Sequence, residues 1–193
     1  GFECEIRSEI PIKAGTSSSS SIMVGWINFL SQNADNPKIL DTKSIAELAY
    51  KAEVIEFDSP GGMMDQYSTS VGNLIYLESE PEIKVKRINR ELGAFVLGDS
   101  LEQKDTIGIL SRCRDSRLSI MSEMKKFDPD VNFQTISFDQ LDQFELDDEK
   151  RHLMIGTIKN RDLLLQAKVE LEKQNLDQNI FGRLLHDHHK VLR

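Results

Sequence analysis

The chain has 193 residues, 39% hydrophobic and 29% charged, with a formal net charge of −8, which is long enough for one domain or two small ones around a real core. The acidic balance argues against nucleic acid or an anionic membrane surface as the partner, because both reward clustered Lys and Arg. It does not argue against an anionic nucleotide, whose charge a local loop and a metal ion can offset.

The pattern predicts a half-buried strand over residues 2–10 (FECEIRSEI), which Pro11 ends. A loop with Gly15 and a run of serines follows, then a helix from about Ser18 to Ser31. Ile22, Met23, Val24, Trp26, Ile27, Phe29 and Leu30 make that helix apolar nearly all round, so burial is expected. Gln32 to Lys43 reads as a polar loop. Ser44 with Glu47 has the form of a capping box, opening a helix whose stripe is Ile45, Leu48, Ala49, Ala52 and Ile55. Ser59-Pro60-Gly61-Gly62 breaks it. A short helical turn starts near Asp65, and strands are expected at Leu74–Leu77, at Ile83–Ile88 after a charged turn, and at Ala94–Leu97. Long helices are predicted at about Thr106–Lys126, Asp148–Gln174 and Asp177–Leu192, with an irregular region between the first two. The shift from strands and short helices to long helices puts a boundary between two subdomains near residue 90. Cys4 and Cys113 lack metal-ligand spacing and read as free thiols in a reducing, cytoplasmic setting. No stretch is apolar enough to span a bilayer, and the amino-terminal residues do not read as a signal peptide.

The segment PIKAGTSSSSSIMVG, Pro11 to Gly25, carries the most chemistry. Gly15 can take a positive φ, small side chains let backbone N–H groups approach an anion, and the helix N-terminus adds its dipole. The hydroxyls can donate to phosphate oxygens or ligate Mg²⁺, which prefers oxygen. The plainer reading is a flexible serine linker, but linkers seldom run straight into a helix carrying Trp26 and Phe29. It is not a Walker loop, which needs Gly-Lys-Ser/Thr.

This loop resembles the nucleotide-binding signature of the GHMP kinases: Pro-x-x-x-Gly, Leu, Gly or Ser, Ser, Ser, Ala, Ala. Pro11, Gly15, Ser17, Ser18 and Ser19 match, while Thr16 stands for Leu and Ser20 and Ser21 for Ala. A second segment, Ala52 to Asn73, is similar to the galactokinase stretch Ala-Glu, connector, Gly-Ile-Met-Asp-Gln-Phe. Glu53 and Asp65 keep its twelve-residue spacing; Gly62, Met64, Asp65 and Gln66 match, with Met63 for Ile and Tyr67 for Phe. Gly93–Arg114, Lys150–Ala167 and Phe181–Arg193 add weaker similarity. Asp99 replaces the usual Asn before Ser100, and the Tyr of the galactokinase sugar site is not evident. His186, His188 and His189 lack carboxylate or Cys partners in the pattern and read as a partly exposed helix end.

The resemblance implies an α+β, two-domain GHMP fold, with a ribosomal-protein-like N-terminal domain over residues 1–90 and a ferredoxin-like C-terminal domain over 91–193. Galactokinases also carry an early Arg, a Gly-Glu-His-x-Asp stretch and a late Gly-rich segment, so a fragment incomplete at both ends, inactive alone, is expected. ATP and Mg²⁺ are the implied cofactors and a monosaccharide the acceptor. Gly15, Thr16, Ser17, Ser18, Ser19 and Ser20 would hold the phosphates, Ser19 and Glu53 the metal, and Gly62, Asp65 and Asp99 the substrate. Asp65 would be the catalytic carboxylate, as base or as orienter. Three plainer readings stand beside these: a helix N-cap for Asp65, a solvated surface carboxylate for Glu53, with Glu56 its rival on the same helix, and local turn and surface residues for Asp99 and Lys104. Fucose, arabinose, a heptose or a uronic acid are alternative acceptors, and a sugar- and ATP-binding sensor without turnover is the alternative outside enzymes.

Overall fold

Among the described residues four helices begin at an Asp or Ser whose side chain accepts from an unpaired first-turn N–H: Asp41, Ser137, Asp147 and Asp177. The computed structural model describes residues 1–12, 14–98 and 106–192. The chain divides into two compact units, Gly1–Ile107 and Gly108–Arg193. The division falls later than the composition change near Asn89.

In the first unit, α1 spans Ser18–Asn33, α2 Thr42–Tyr50 and α3 Met64–Val71, while β1 (Leu74–Glu78) and β2 (Lys84–Ile88) form an antiparallel pair. Its register sets Leu74 opposite Ile88 and Glu78 opposite Lys84. The cap of α2 is Asp41, not Ser44: its carboxylate accepts the Ser44 N–H at 2.7 Å. A carboxylate also meets the positive end of the helix dipole, which a hydroxyl does not. The same N–H holds the Asp41 carboxyl below its ordinary range.

Past Tyr50 the helix widens into a π turn, Lys51–Ile55, in which the Glu56 N–H reaches back five residues to the Lys51 carbonyl at 2.9 Å. A π turn holds about one residue more than an α turn, and this brings Val54 rather than Ile55 to the inner side. The buried face is therefore Ile45, Ala46, Ala49 and Val54, while Leu48 and Ile55 are exposed. Tyr67 and Val71 of α3 and Ile88 of β2 complete this core. Ala46 and Ala49 are small enough for α2 and α3 to pack closely, and the Ser70 hydroxyl donates to the Thr42 carbonyl at 2.7 Å. Arg87 of β2 donates to the Val71 carbonyl at 2.6 Å.

Three expectations fail in this unit. Residues 2–10 form no strand and are exposed, and Ala94–Leu97 forms none either, with Val96 95% exposed. Both segments have strand-like sequences, but a strand needs a paired neighbour, and among the described residues neither has one. The third concerns α1, in which Ser20 alone is buried. An all-round apolar helix has two apolar faces, and α2 and α3 cover one of them. Trp26, Ile22 and Leu30 stay exposed on the other, where Trp26 stacks on Phe29 at 5.5 Å.

In the second unit, α4 (Thr106–Met124), α5 (Phe138–Leu141), α6 (Asp148–Glu172) and α7 (Gln178–Val191) form a helical assembly with no strand among the described residues. Its core joins Ile120, Met121 and Met124 of α4 to Val131, Ile136, Leu141, Met154 and Ile158. The irregular region contains α5, which Ser137 and Gln140 open with a reciprocal capping box. Arg161 of α6 pins this region by donating to the carbonyls of Phe133 and Ile136 at 3.1 and 2.7 Å.

Asp147 caps α6 and Asp177 caps α7. Between them, buried Glu170 accepts from the Lys173 ammonium at 2.5 Å and from the Asp177 N–H at 3.0 Å. Lys173 first, then that N–H, hold the Glu170 carboxyl below its ordinary range. Both cysteines are free thiols, and His186, His188 and His189 are exposed. No helix among the described residues is long and apolar enough to cross a membrane.

Leu141 is fully buried, so Leu141→Ala is expected to cost about 2–5 kcal/mol in urea unfolding. Glu170, with its depressed folded-state pKa, contributes stability above the ordinary carboxylate range and loses it as pH falls through the depressed value. Amide protection factors at the α6–α7 junction should fall over that acid window, and Glu170→Gln should flatten the dependence.

Candidate functional site

The Ser-rich loop folds back on itself because Thr16 Oγ1 donates to the Pro11 carbonyl at 2.9 Å. Gly15 has φ 74° and Ser17 φ 56°, with Thr16 between them. Alternating backbone handedness of this kind builds anion-binding nests from successive N–H groups. Ser17 is the N-cap residue of α1 but supplies no side-chain cap. Among the described residues no side chain caps the first turn of this 16-residue helix, so its backbone donors stand at the positive end of the dipole.

Glu53 is the point on which the segments converge. Its Oε1 accepts from the Ser19 hydroxyl at 2.5 Å, and its Oε2 from the Ser20 hydroxyl at 2.7 Å and from Gln66 Nε2 at 2.6 Å. Gln66 Nε2 also donates to Ser20 Oγ at 3.2 Å. The four side chains come from the start of α1, the π turn and the first turn of α3. Single widened turns inside α-helices are often found at functional sites. Ser20 and Gln66 are each 2% exposed, whereas Ser19 is open to solvent. Glu56, the rival carboxylate, is exposed and outside this network.

Asp65 sits beside Gln66 in the first turn of α3, whose N-cap is Met63, so Asp65 is not the cap. Its carboxylate is exposed and has no partner among the described residues. Gly62 is exposed, and a Cβ there would meet open space. Asp99 lies outside the described residues, as do Ser100 and Lys104. Of the six expected phosphate ligands, Gly15, Ser17, Ser18 and Ser19 line the loop and the helix start. Thr16 commits its hydroxyl to Pro11, and Ser20 turns its own inward.

Among the described residues no three His, Cys, Asp or Glu side chains converge on one point. The oxygens on offer are the Ser19 hydroxyl and the Glu53 carboxylate, side by side. That pair fits Mg²⁺, a hard ion that keeps waters and phosphate oxygens and takes only one or two protein ligands. It does not suit zinc, which prefers Cys and His.

The sequence reading named Glu53 and Ser19, took Ser20 for a phosphate ligand and gave Gln66 no role beyond a motif match; their place beneath Glu53 comes from the packing of α3 against α1. Tyr67 stands where the similar stretch has Phe. Its ring is buried, its hydroxyl has no partner among the described residues, and burial pushes the phenol's pKa up.

Residues 1–73 match the family model for the GHMP kinases N terminal domain. The match spans the Ser-rich loop, Glu53 and Asp65 and ends just before β1. The similarity to the GHMP kinases is thus confined to this part of the chain. No curated protein and no solved structure matches.

Because Tyr67 buries an unpartnered hydroxyl, Tyr67→Phe is expected to stabilise the first unit by about 1 kcal/mol. Thermal and urea unfolding of the two forms would check this.

Proposed function

We propose that this chain belongs to an ATP-dependent sugar kinase, similar to galactokinase, that moves the γ-phosphoryl group of ATP to a monosaccharide hydroxyl. The observation that carries the reading is the Ser19–Glu53–Ser20–Gln66 network. It joins the Ser-rich loop to the acidic segment that resembles the galactokinase stretch. Residues 1–90 then belong to the ATP-binding domain and 91–193 to the C-terminal domain, in a cytoplasmic enzyme.

The backbone N–H groups from Gly15 to Ser18 and the start of α1 receive the ATP phosphates. Ser19 and Glu53 hold Mg²⁺, which supplies charge neutralisation on the phosphate oxygens. Asp65, exposed and unpaired among the described residues, meets the acceptor hydroxyl. It either takes the hydroxyl proton as the oxygen bonds to the γ-phosphorus and ADP departs, or orients that hydroxyl. Gly62, with no side chain, leaves room for the sugar ring. Asp99 enters as a substrate contact on sequence similarity alone. Positioning and charge stabilisation supply most of the rate.

The test is ADP release by the full-length protein across a panel of monosaccharides, with MgATP binding followed in parallel. Turnover on one sugar is expected, falling by about 10²-fold or more in Asp65→Asn, and Glu53→Gln should raise the Mg²⁺ requirement. Absence of MgATP binding would overturn the reading. Binding of both ATP and sugar without ADP release would replace the enzyme with a sensor.

A further inference from the structure

The two oxygens of Glu53 are not equivalent. Oε2 accepts from two donors, Ser20 Oγ at 2.7 Å and Gln66 Nε2 at 2.6 Å, and both residues are 2% exposed. Among the described residues Oε1 has one donor, the Ser19 hydroxyl at 2.5 Å, and Ser19 is open to solvent. One oxygen is anchored by two buried donors; the other meets an exposed hydroxyl.

The anchor is a closed triangle. Ser20 donates its single hydroxyl proton to Glu53 and accepts from Gln66, while Gln66 donates to both. This fixes the amide's orientation, since turned over it would set its carbonyl oxygen against a carboxylate. In this orientation Gln66 Oε1 is buried with no partner among the described residues, a loss that is costly in a low-dielectric interior. The arrangement therefore serves the carboxylate and not the amide.

We infer that Gln66 and Ser20 are positioning residues that clamp Glu53 Oε2, leaving Oε1 and the Ser19 hydroxyl as the cation-facing pair, so that Glu53 binds its metal through one oxygen. The inference rests on the proposed nucleotide and Mg²⁺ reading of this site. Neither residue touches the metal. Each acts through the orientation of a ligand, as the outer partners of metal ligands do.

The experiment measures ATP binding by calorimetry, first with EDTA and then across a Mg²⁺ titration, for the unaltered chain, Glu53→Gln, Gln66→Leu and Ser20→Ala. Glu53→Gln, which alters a proposed ligand itself, should raise the half-saturating Mg²⁺ concentration most. Gln66→Leu should raise the half-saturating Mg²⁺ concentration by about 10-fold or more while leaving metal-free ATP binding unchanged. Ser20→Ala, a smaller truncation, gives the same readout should the Leu variant fail to fold. An unchanged Mg²⁺ requirement in a folded variant overturns the clamp and leaves the site reading intact. Equal losses with and without Mg²⁺ also overturn it, since that is the signature of a merely structural role. If the unaltered chain shows no Mg²⁺-dependent ATP binding, the site reading itself fails, and the clamp with it.

Discussion

A carboxylate drawn toward a protein interior needs donors, and much of the first unit's geometry follows from how Glu53 finds three of them. Ser19 and Ser20 fix the start of α1 against the π turn, and Gln66 fixes the first turn of α3 against both. Removing one partner of such a network leaves the others desolvated and unpaired, which costs more than the lost bond itself. The apolar contacts of Ile45, Ala46, Ala49, Val54 and Tyr67 hold the helices together. They are non-directional, however, and would tolerate small slides. The polar network sets the register at which the helices stop.

The same logic explains the surface of α1. A helix carrying Trp26, Phe29 and four large aliphatic residues would normally turn its most apolar face inward. Here the inward position is held by Ser20, because that is where the hydroxyl meets Glu53. The indole and Phe29 stack on each other on the outer side, which recovers part of the contact that burial would have given. The Glu53 network and the apolar pattern compete for one helix face in this unit, and at Ser20 the polar network prevails.

How much could be read from the residue order varies along the chain. Long helices with strong terminal signals were clear: α6 and α7 start beside Asp147 and Asp177, and end within two residues of the expected places. The β1–β2 hairpin was equally clear. Segments 2–10 and 94–97 were misread because periodicity reports which way side chains alternate, not whether a neighbouring strand is present. The cap of α2 was misplaced because two candidates, Asp41 and Ser44, lie three residues apart and the carboxylate is the better acceptor. At the site, the residues with charge or a recurring spacing stood out. Their buried supports did not, because nothing local separates Gln66 from an ordinary surface glutamine; only the packing of α3 against α1 does.

The widened turn at Lys51–Ile55 has a consequence for changes in chain length. In a helix built only of α turns, losing one residue rotates everything beyond it by about 100°. A π turn already stores the surplus residue, so a deletion inside it can be absorbed by reverting to α geometry, with the break at Ser59–Gly62 left in place. The fold is thus forgiving of length at that point. The alignment that sets Val54 in the core and Glu53 against two hydroxyls is not, because it depends on the stored residue. Tolerance for a change of length and dependence of the Glu53 network on the stored residue coincide in the same five residues.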